Sequence, residues 1–357
     1  MICINNDFFD DFSVVFQKDA CVLNDCWYPL GSFAAEMLQL DETPWRQAIR
    51  SRLVIFKEEF AIFLSSRSAS AAALSQQALN TLWEQIGTLP VYRQLFPSCR
   101  SWERLFSYLQ EHPKVVDDIV TEGTQYHQAV GLWLEKLDNL TDSLSGFCRN
   151  TRWILENYFK DLHSRKPEAY AEAYVRYCRE AMMDLEISAD EGVRSQAEAF
   201  VFDFPVRLSF VPLVSPRTGK VSLGEKMIFT HLASFLYIDL YKGMAAGNLP
   251  RRCQNCGRWF LAQGGYSTVY CERVAPGETK KTCRQVGAHR TERKKKSSSP
   301  VQVEYSRTYN RLKARKRSGT LSVEEWNRKV AQAQQLKEKA LAGELDLAAL
   351  QRMLRQL

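Results

Sequence analysis

The chain contains 357 residues, of which 45% are hydrophobic, and it carries 48 Lys and Arg against 41 Asp and Glu side chains, a net charge of +7. This composition excludes a disordered chain, a collagen-like repeat and a disulfide-rich miniprotein, and it is typical of a protein that buries a sizeable core. At roughly 100 to 200 residues per domain, the length predicts two domains, or one large helical body with a small appendage.

The charge is unevenly distributed along the chain. Residues 1–250 carry 24 basic and 32 acidic side chains, a net charge of −8, whereas residues 251–357 carry 24 basic and 9 acidic side chains, a net charge of +15. A basic C-terminal third favours binding of a polyanion, most simply nucleic acid, through neutralisation of phosphates and release of counterions. The alternatives are that the two parts neutralise each other or that the tail is a solvated helix.

The sequence predicts no targeting or membrane segment. The first eleven residues include Asp7, Asp10 and Asp11 and have no cationic region before an apolar stretch, which is not typical of a secretory signal. The most apolar segment, residues 227–241, is too short for a membrane span and is predicted to be a buried helix. We therefore expect a cytoplasmic protein whose ten cysteines are reduced thiols or metal ligands.

The first 248 residues are predicted to form a mainly α-helical body with a small β element. The run Phe12–Phe16 and the turn residues Asn24-Asp25 predict one or two short strands. From residue 43 to about residue 186, apolar residues recur at spacings of three and four, which predicts amphipathic helices that pack on one another. Prolines separate these runs, as expected where a helix stops or begins; they are Pro44, Pro90, Pro97, Pro113 and Pro167.

The spacing of apolar residues along the chain changes after residue 200. The segment Phe200–Val214 is rich in Phe and Val and predicts one or two further strands. Residues 223–244 return to helical spacing and lead to Gly243 and Gly247, which are predicted to stop the helix. Because Pro250-Arg251-Arg252-Cys253 follows directly, we place a domain boundary between residues 248 and 249.

Four of the ten cysteines lie within 31 residues. Cys253 and Cys256 form a Cys-x2-Cys pair followed by Gly257, the pattern of a metal knuckle in which a tight turn directs two thiolates to one ion. Cys271 and Cys283 follow, with 14 residues between Cys256 and Cys271 and 11 between the last two. Four thiolates select zinc over magnesium or calcium, which prefer oxygen ligands.

We therefore predict a small ribbon- or treble-clef-like zinc finger over residues 249–290. The segments 258–261 and 268–270 flank Gly264-Gly265, the pattern of a short hairpin. Such a module has little apolar core, so zinc would contribute about 10 kcal/mol or more to its folding. Four thiolates leave no open coordination position, so the predicted role of the metal is structural rather than catalytic.

Three alternatives to this metal site remain open at the level of sequence. Ribbon-like sites usually close with a second Cys-x2-Cys pair, which this chain lacks, so His289 could replace Cys283 as the fourth ligand, or the finger could be incomplete. The third alternative is that the cysteines are reduced and bind no metal.

Three short segments of the module resemble known fingers: RRCQNCGRWF at residues 251–260, VYC at 269–271 and TCRQVGA at 282–288. They are similar to the finger of an uncharacterised bacterial family, DUF6076, and more distantly to the CGNR-type zinc fingers of bacterial regulators, which follow a helical N-terminal domain. The resemblance covers about residues 224–290. It implies a bacterial zinc protein that binds nucleic acid, with Cys253, Cys256, Cys271 and Cys283 as ligands.

The sequence differs from the CGNR pattern in the residues that follow the last cysteine. In that group Gly-Asn-Arg follows the last cysteine, whereas here Cys283 is followed by Arg284-Gln285-Val286. This difference weakens any transfer of DNA binding from the CGNR group, and DUF6076 has no function to transfer.

Residues 291–357 are predicted to form a basic helical tail. Phosphate contacts are predicted at fifteen residues of the finger and tail, and nothing identifies a side chain that reads bases, so binding to DNA or RNA is expected to be weakly sequence-specific. The fifteen residues are Arg251, Arg252, Arg258, Arg284, Arg290, Arg293, Lys294, Lys295, Lys296, Arg307, Arg311, Lys313, Arg315, Lys316 and Arg317.

Aromatic residues accompany the cations of the tail. Beyond a flexible joint at Ser297–Pro300, Tyr305 and Tyr309 lie four residues apart on the apolar edge of a cationic helix. They could stack on unpaired bases, but an aromatic pair at this spacing is more often packed against its own domain.

The last two predicted helices form a hairpin. Ser322 and Glu325 have the spacing of a capping box, which opens a helix that Gly343 stops. Asp346 then begins the final helix. This hairpin is predicted to dock on the helical body or on a second copy of the chain, and packing within the chain is favoured.

No pattern of catalytic residues anchors an enzyme. The sequence has no metalloprotease, nucleophile-elbow, phosphate-loop or dinucleotide-binding motif, and its five histidines are scattered. His231 and Asp239 lie two turns apart on the apolar helix, where a satisfied buried polar pair is expected rather than a catalytic one. The cysteines outside the finger are expected to be ordinary thiols.

The sequence thus favours a nucleic-acid-binding zinc-finger protein, as in a bacterial regulator. The second candidate is a protein-interaction scaffold or homo-oligomer in which zinc is purely structural. An enzyme of unknown type in the helical body is the third.

Overall fold

The computed structural model describes residues 12–95, 104–162, 164, 166–187, 206–214, 219–263 and 269–357. The predicted fold class, mainly α with β elements, is confirmed. The described residues form two compact units, one comprising those up to Cys253 with Gly257–Val269, and the other Gln254–Cys256 with Tyr270–Leu357. The predicted division into residues 1–248, 249–290 and 291–357 stays a prediction.

Some expectations concern residues outside this description. The absence of a targeting signal was predicted from residues 1–11, and Pro97, Cys3 and Cys99 are likewise outside the described ranges. Within those ranges, no helix combines the length and the apolar character needed to cross a membrane.

The predicted strands of the first unit belong to one five-stranded antiparallel sheet. Its strands are β1 (Phe12–Phe16), β2 (Ala20–Leu23), β3 (Cys26–Pro29), β4 (Arg207–Val214) and β5 (Val221–Phe229), in the spatial order β3-β2-β1-β5-β4. The predicted strand at residues 12–16 is confirmed. Its Phe12, Val14 and Phe16 are buried whereas Ser13 is exposed, which is the alternation of a strand with one face on a core.

The helix predicted over residues 223–244 is wrong in its first part. Residues 221–229 form β5, which pairs with β1 on one side and with β4 on the other, and the helix α9 begins only at Leu232. Leu223 and Met227 are four residues apart, a spacing that also occurs on helices. Pairing with strands that are distant in sequence satisfies the backbone of this segment and overrides the local pattern.

The predicted amphipathic helices are confirmed. They are α1 (Ser32–Gln39), α2 (Glu42–Ser66), α3 (Ala69–Ile86), α4 (Tyr92–Leu95), α5 (Leu105–Glu111), α6 (Pro113–Val120), α7 (Gln125–Ile154, followed by a π-helical turn at Leu155–Phe159), α8 (Pro167–Ile187) and α9 (Leu232–Ala245). On α2, for example, every buried side chain is apolar, and Ile49, Leu53, Phe56 and Phe60 follow one another at spacings of three and four. Pro113 and Pro167 begin α6 and α8, as their position between the apolar runs predicts.

Helices α1 and α9 approach each other closely at two glycines. A Cβ atom at Gly243 would lie 2.9 Å from Gly31 Cα and 3.0 Å from Gly31 N, so the contact joins two backbones. Gly243 is therefore not the helix stop that the sequence predicted but a close-packing position inside α9. The stop lies at Gly247, whose φ of 81° is left-handed.

We expect Gly243→Ala to lower the free energy of unfolding by about 1 to 3 kcal/mol, because the added methyl group forces two backbones apart. Gly146→Ala is the matched control, since Gly146 lies in α7 and has nothing within 4 Å of its Cβ position. It should stabilise the protein by up to about 1 kcal/mol through helix propensity. Urea unfolding measures the free energy of unfolding of both variants. An increase in this free energy for Gly243→Ala would show that the two helices can move apart without losing stability.

The second unit contains α10 (Cys283–Ser298), α11 (Pro300–Arg317), α12 (Val323–Leu341) and α13 (Leu347–Gln356). Helices α12 and α13 form the predicted hairpin, and it packs on α11: Ala333, Leu350 and Leu354 are buried together, with Tyr305 and Leu336 packed against them. The predicted capping box is confirmed, because Glu325 N donates to Ser322 Oγ at 3.1 Å and Ser322 N donates to Glu325 Oε2 at 3.4 Å.

Candidate metal centre

A two-stranded hairpin presents the first cysteine pair. Strands β6 (Leu249–Arg252) and β7 (Trp259–Ala262) are antiparallel, with Arg252 opposite Trp259, so the Cys-x2-Cys segment forms their connection. The strand predicted at residues 258–261 therefore exists, but its partner precedes the cysteine pair. The predicted turn residues Gly264 and Gly265, with Thr268, lie outside the described residues.

The connection is a tight turn. Gly257 N donates to Cys253 O at 2.9 Å, and Cys253 N donates to Arg258 O at 2.9 Å. Gly257 has a φ of 71°, a left-handed conformation that glycine adopts without a steric penalty. This turn directs the side chains of Cys253 and Cys256 to the same side, as the knuckle pattern predicted.

The second cysteine pair is positioned by the start of α10. Thr282 caps this helix and shares a capping box with Gln285, which makes Cys283 the first helical residue. Cys283 N donates to Arg273 O at 2.8 Å, and Arg284 N donates to Cys271 O at 3.1 Å. These bonds hold Cys271 beside the helix N-terminus, where the helix dipole favours negative charge such as that of a thiolate.

The four sulfur atoms form one cluster. The Sγ atoms of Cys253, Cys256, Cys271 and Cys283 all lie within 4.8 Å of one another, and those of Cys256 and Cys271 are 3.7 Å apart. A tetrahedral zinc site with bonds of about 2.3 Å has sulfur atoms about 3.8 Å apart. The donor set and its spacing therefore fit a metal ion such as zinc.

Burial of the cluster is nearly complete. Cys253, Cys271 and Cys283 are buried and Cys256 is half-buried. His289, the alternative fourth ligand, is exposed and does not belong to the cluster found among the described residues. Cys283, and not His289, is thus the fourth member of the cluster.

The cysteines outside the cluster differ in exposure. Burial raises the pKa of the Cys148 thiol to about 12 and raises the pKa of Cys21 as well, so both remain protonated thiols at neutral pH. Cys26 is exposed and Cys178 is half-buried. Cys21 and Cys148 are thus the ordinary buried thiols that the sequence predicted.

Several of the predicted phosphate-binding residues form ion pairs at the surface. Arg252 lies 3.3 Å from Glu156, Arg284 lies 2.7 Å from Glu272, and Arg307 lies 2.7 Å from Glu304. Their charges are therefore partly neutralised within the chain.

Three further cations hold the tail helices together. Arg311 Nη2 donates to Leu354 O at 2.6 Å and Arg315 Nη1 donates to Leu357 O at 3.4 Å, which satisfies carbonyl groups at the end of α13. Lys316 Nζ lies 4.1 Å from the centre of the Trp326 ring, a cation–π contact.

Other residues that were predicted to contact phosphate are exposed. Among the described residues, the side chains of Arg258, Lys313 and Arg317 are exposed and form no hydrogen bond or ion pair. Arg251 is half-buried on β6, and Arg290 contacts Asn255. The side chains of Arg293, Lys294, Lys295 and Lys296 lie outside the described part of the chain, although their backbone belongs to α10.

The tail tyrosines pack within the tail, as the sequence favoured. The rings of Tyr305 and Tyr309 lie 6.2 Å apart, Tyr309 lies 6.1 Å from Trp326, and Lys337 Nζ lies 5.0 Å from the centre of the Tyr305 ring. Their faces are thus occupied by side chains of the same unit rather than being open platforms for bases.

Sequence reasoning missed Asn255, which touches the sulfur cluster. Its Nδ2 donates to Cys283 Sγ at 3.3 Å. The only signal in the sequence is its position between the two knuckle cysteines, where any polar residue suits an exposed turn.

Comparison with known proteins gives a match to one family model and no activity. No curated protein and no solved structure matches the chain. Over residues 202–354, which contain all four cysteines and the basic tail, the chain matches the model of a family of unknown function, DUF6076.

Proposed function

We propose that this protein is a zinc-finger protein that binds nucleic acid, with zinc in a purely structural role. The observation that carries the proposal is the exposed cationic face of α11 in a region of net charge +15. Cations that are exposed and unpaired can neutralise phosphates and release counterions without first breaking an intramolecular bond.

The face is defined by helical spacing. Asn310, Lys313 and Arg317 are exposed and lie three and four residues apart, so they share one side of α11, whereas Thr308 and Leu312 are buried on the other. Lys313 and Arg317 are about 6 Å apart along the helix axis. Arg311 and Arg315 point to a different flank, where they bind the end of α13.

In this proposal zinc holds the knuckle against the start of α10. The four cysteines satisfy a tetrahedral ion completely, so no position remains for a substrate or a reactive water molecule. The finger then supports the basic helix that begins at Cys283.

The test is retention on heparin and on single- and double-stranded oligonucleotides over a salt series. The double variant Lys313→Gln/Arg317→Gln should reduce the slope of log K against log salt concentration by about 2 for duplex DNA, since each lost phosphate contact removes about 0.9. Arg328→Gln/Lys339→Gln is the matched control, because these α12 cations are exposed, carry the same charge and lie outside the proposed face. Its slope should stay close to that of the wild type.

Equal slopes for the two double variants would contradict a defined binding face, because net charge alone would then explain binding. A protein with one zinc ion per chain and no oligonucleotide retention would contradict nucleic-acid binding altogether.

The second candidate is a protein-interaction scaffold with structural zinc. It is favoured by the internal use of tail cations, since Arg311, Arg315 and Lys316 all stabilise helix packing. Zinc without oligonucleotide retention, together with formation of a stable complex with itself or with another protein, is the result that would support it.

A further inference from the structure

A chain of two hydrogen bonds connects the sulfur cluster to the basic helix α10. Asn255 Nδ2 donates to Cys283 Sγ at 3.3 Å, and Arg290 Nη1 donates to Asn255 Oδ1 at 2.8 Å. The orientation of the amide follows from its partners. Because a guanidinium group only donates hydrogen bonds, the amide oxygen must face Arg290, which leaves the amide nitrogen facing the sulfur.

Helical spacing makes this connection possible. Cys283 and Arg290 are seven residues apart on α10, which is two turns, so both lie on the side of the helix that faces Asn255. Burial decreases along the chain of contacts, since Cys283 is buried, Asn255 is half-buried and Arg290 is exposed. The amide thus bridges the buried sulfur and the charged surface.

Given the zinc of the proposed function, we propose that Asn255 and Arg290 form an outer-shell relay that orients Cys283 and stabilises its thiolate as a metal ligand. The amide N–H group disperses the negative charge on sulfur, and the guanidinium polarises the amide and fixes its orientation. Arg290 is then a positioning residue of the metal site rather than a phosphate contact.

The relay explains why two arginines of the finger differ in their contacts. The side chain of Arg258, which follows the knuckle, is exposed without a hydrogen bond among the described residues, whereas the exposed side chain of Arg290 donates to Asn255. Outer-shell partners of metal ligands typically change metal affinity 10- to 100-fold when they are removed. A surface arginine that only contacts phosphate has no such effect.

The test measures zinc affinity of the full-length protein by competition with a chromogenic chelator. Asn255→Ala and Arg290→Met should each lower the apparent affinity about 10- to 100-fold while zinc still binds at one ion per chain when it is in excess. The matched controls are Asn327→Ala and Arg328→Met, which make the same chemical changes at exposed positions of α12, outside the finger and the proposed binding face. Both should stay within about 2-fold of the wild type.

Two additional readouts separate positioning of the ligand from general stability. Cobalt substitution should show a shifted sulfur-to-metal charge-transfer band in Asn255→Ala, because one thiolate loses its hydrogen bond. Arg290→Lys should restore part of the affinity lost in Arg290→Met, since it restores a cationic donor. Arg290 is exposed, so its variants test the relay even if Asn255→Ala does not fold.

Two outcomes would contradict the proposed relay. If Arg290→Met binds zinc like Arg328→Met and reduces the salt slope of duplex binding by about 0.9, Arg290 is a phosphate contact and the relay is wrong. If the wild type and both controls bind no zinc, the metal of the proposed function fails and the relay fails with it.

Discussion

Replacing Cys283 with Ser is expected to reduce bound zinc from about one ion per chain to a small fraction of that value. The sulfur cluster would retain three thiolates, and between Cys271 and Cys283, all of which the structure describes, Ala275 is the only buried apolar side chain that could hold the segment. Structural zinc sites contribute about 10 to 16 kcal/mol to folding of such modules at neutral pH, so the finger should unfold locally. Elemental analysis of the purified protein gives the zinc content, and limited proteolysis near residues 253–290 reports the unfolding.

The matched control is Cys26→Ser. Cys26 is exposed on β3 and lies outside the cluster, so zinc content and proteolysis should match those of the wild type. His289→Ala tests the alternative ligand and should also retain zinc. Retention of zinc by Cys283→Ser together with its loss in His289→Ala would assign the fourth position to the histidine.

Replacing Asp239 with Ala is expected to lower the free energy of unfolding of the first unit by about 2 to 5 kcal/mol. The fully buried carboxylate of Asp239 accepts hydrogen bonds from Gly31 N at 2.8 Å and Ala34 N at 3.0 Å, at the start of α1. Alanine would leave these amide groups buried without an acceptor, and each such group costs about 1 to 3 kcal/mol. Urea unfolding followed by far-UV circular dichroism measures the change.

Asp118→Ala provides the control, because Asp118 is an exposed carboxylate on α6. It should change the free energy of unfolding by less than about 0.5 kcal/mol. Equal effects of the two variants would show that the carboxylate at position 239 does not anchor α1.

The same carboxylate makes stability depend on pH. Burial raises the pKa of Asp239 from 3.8 to about 7, although the backbone hydrogen bonds of Ala34, Gly31 and Phe33 oppose the shift. Between these two pKa values the folded protein keeps a proton that the unfolded chain has released. The contribution to stability is therefore complete below about pH 4 and decreases as pH rises to about 7, by at most about 1.4 kcal/mol per pH unit.

Asp239→Asn should remove this part of the pH dependence, because the amide does not titrate. Urea unfolding of wild type and variant at about pH 5 and about pH 7.5 gives the comparison. A wild-type protein that becomes more stable over this interval, with an unchanged slope in the variant, would show that Asp239 is not the group responsible.

The metal centre is the part of the site that was most accessible from the sequence. The Cys-x2-Cys pair and its following glycine are close together in the chain, so a single turn determines their geometry, and α10 begins at Cys283 because Thr282 and Gln285 form a local capping box. The capping box at Ser322 and Glu325 was predictable for the same reason. In each case the interacting groups are within a few residues of one another.

The features that sequence reasoning missed depend on partners far away in the chain. Residues 221–229 form a strand because β1 and β4 lie on both sides of them, and no local pattern reports such neighbours. The role of Asp239 depends on amide groups about 205 residues earlier, and Asn255 meets Cys283 across 28 residues. Helical spacing also could not show which cations of the tail bond within the chain and which remain exposed. Arg311 donates a hydrogen bond to the end of α13, whereas Lys313, on the same helix, is exposed.

The sequence by itself determined the helical class of the body, the four-cysteine cluster, the basic tail and the starts of α6, α8, α12 and α13, because these follow from composition, periodicity and short-range hydrogen bonds. Only the tertiary structure decided which cations remain exposed, where β5 lies and which side chains support the cluster. These outcomes depend on the packing of distant segments, where burial and long-range hydrogen bonds outweigh the preferences of each residue.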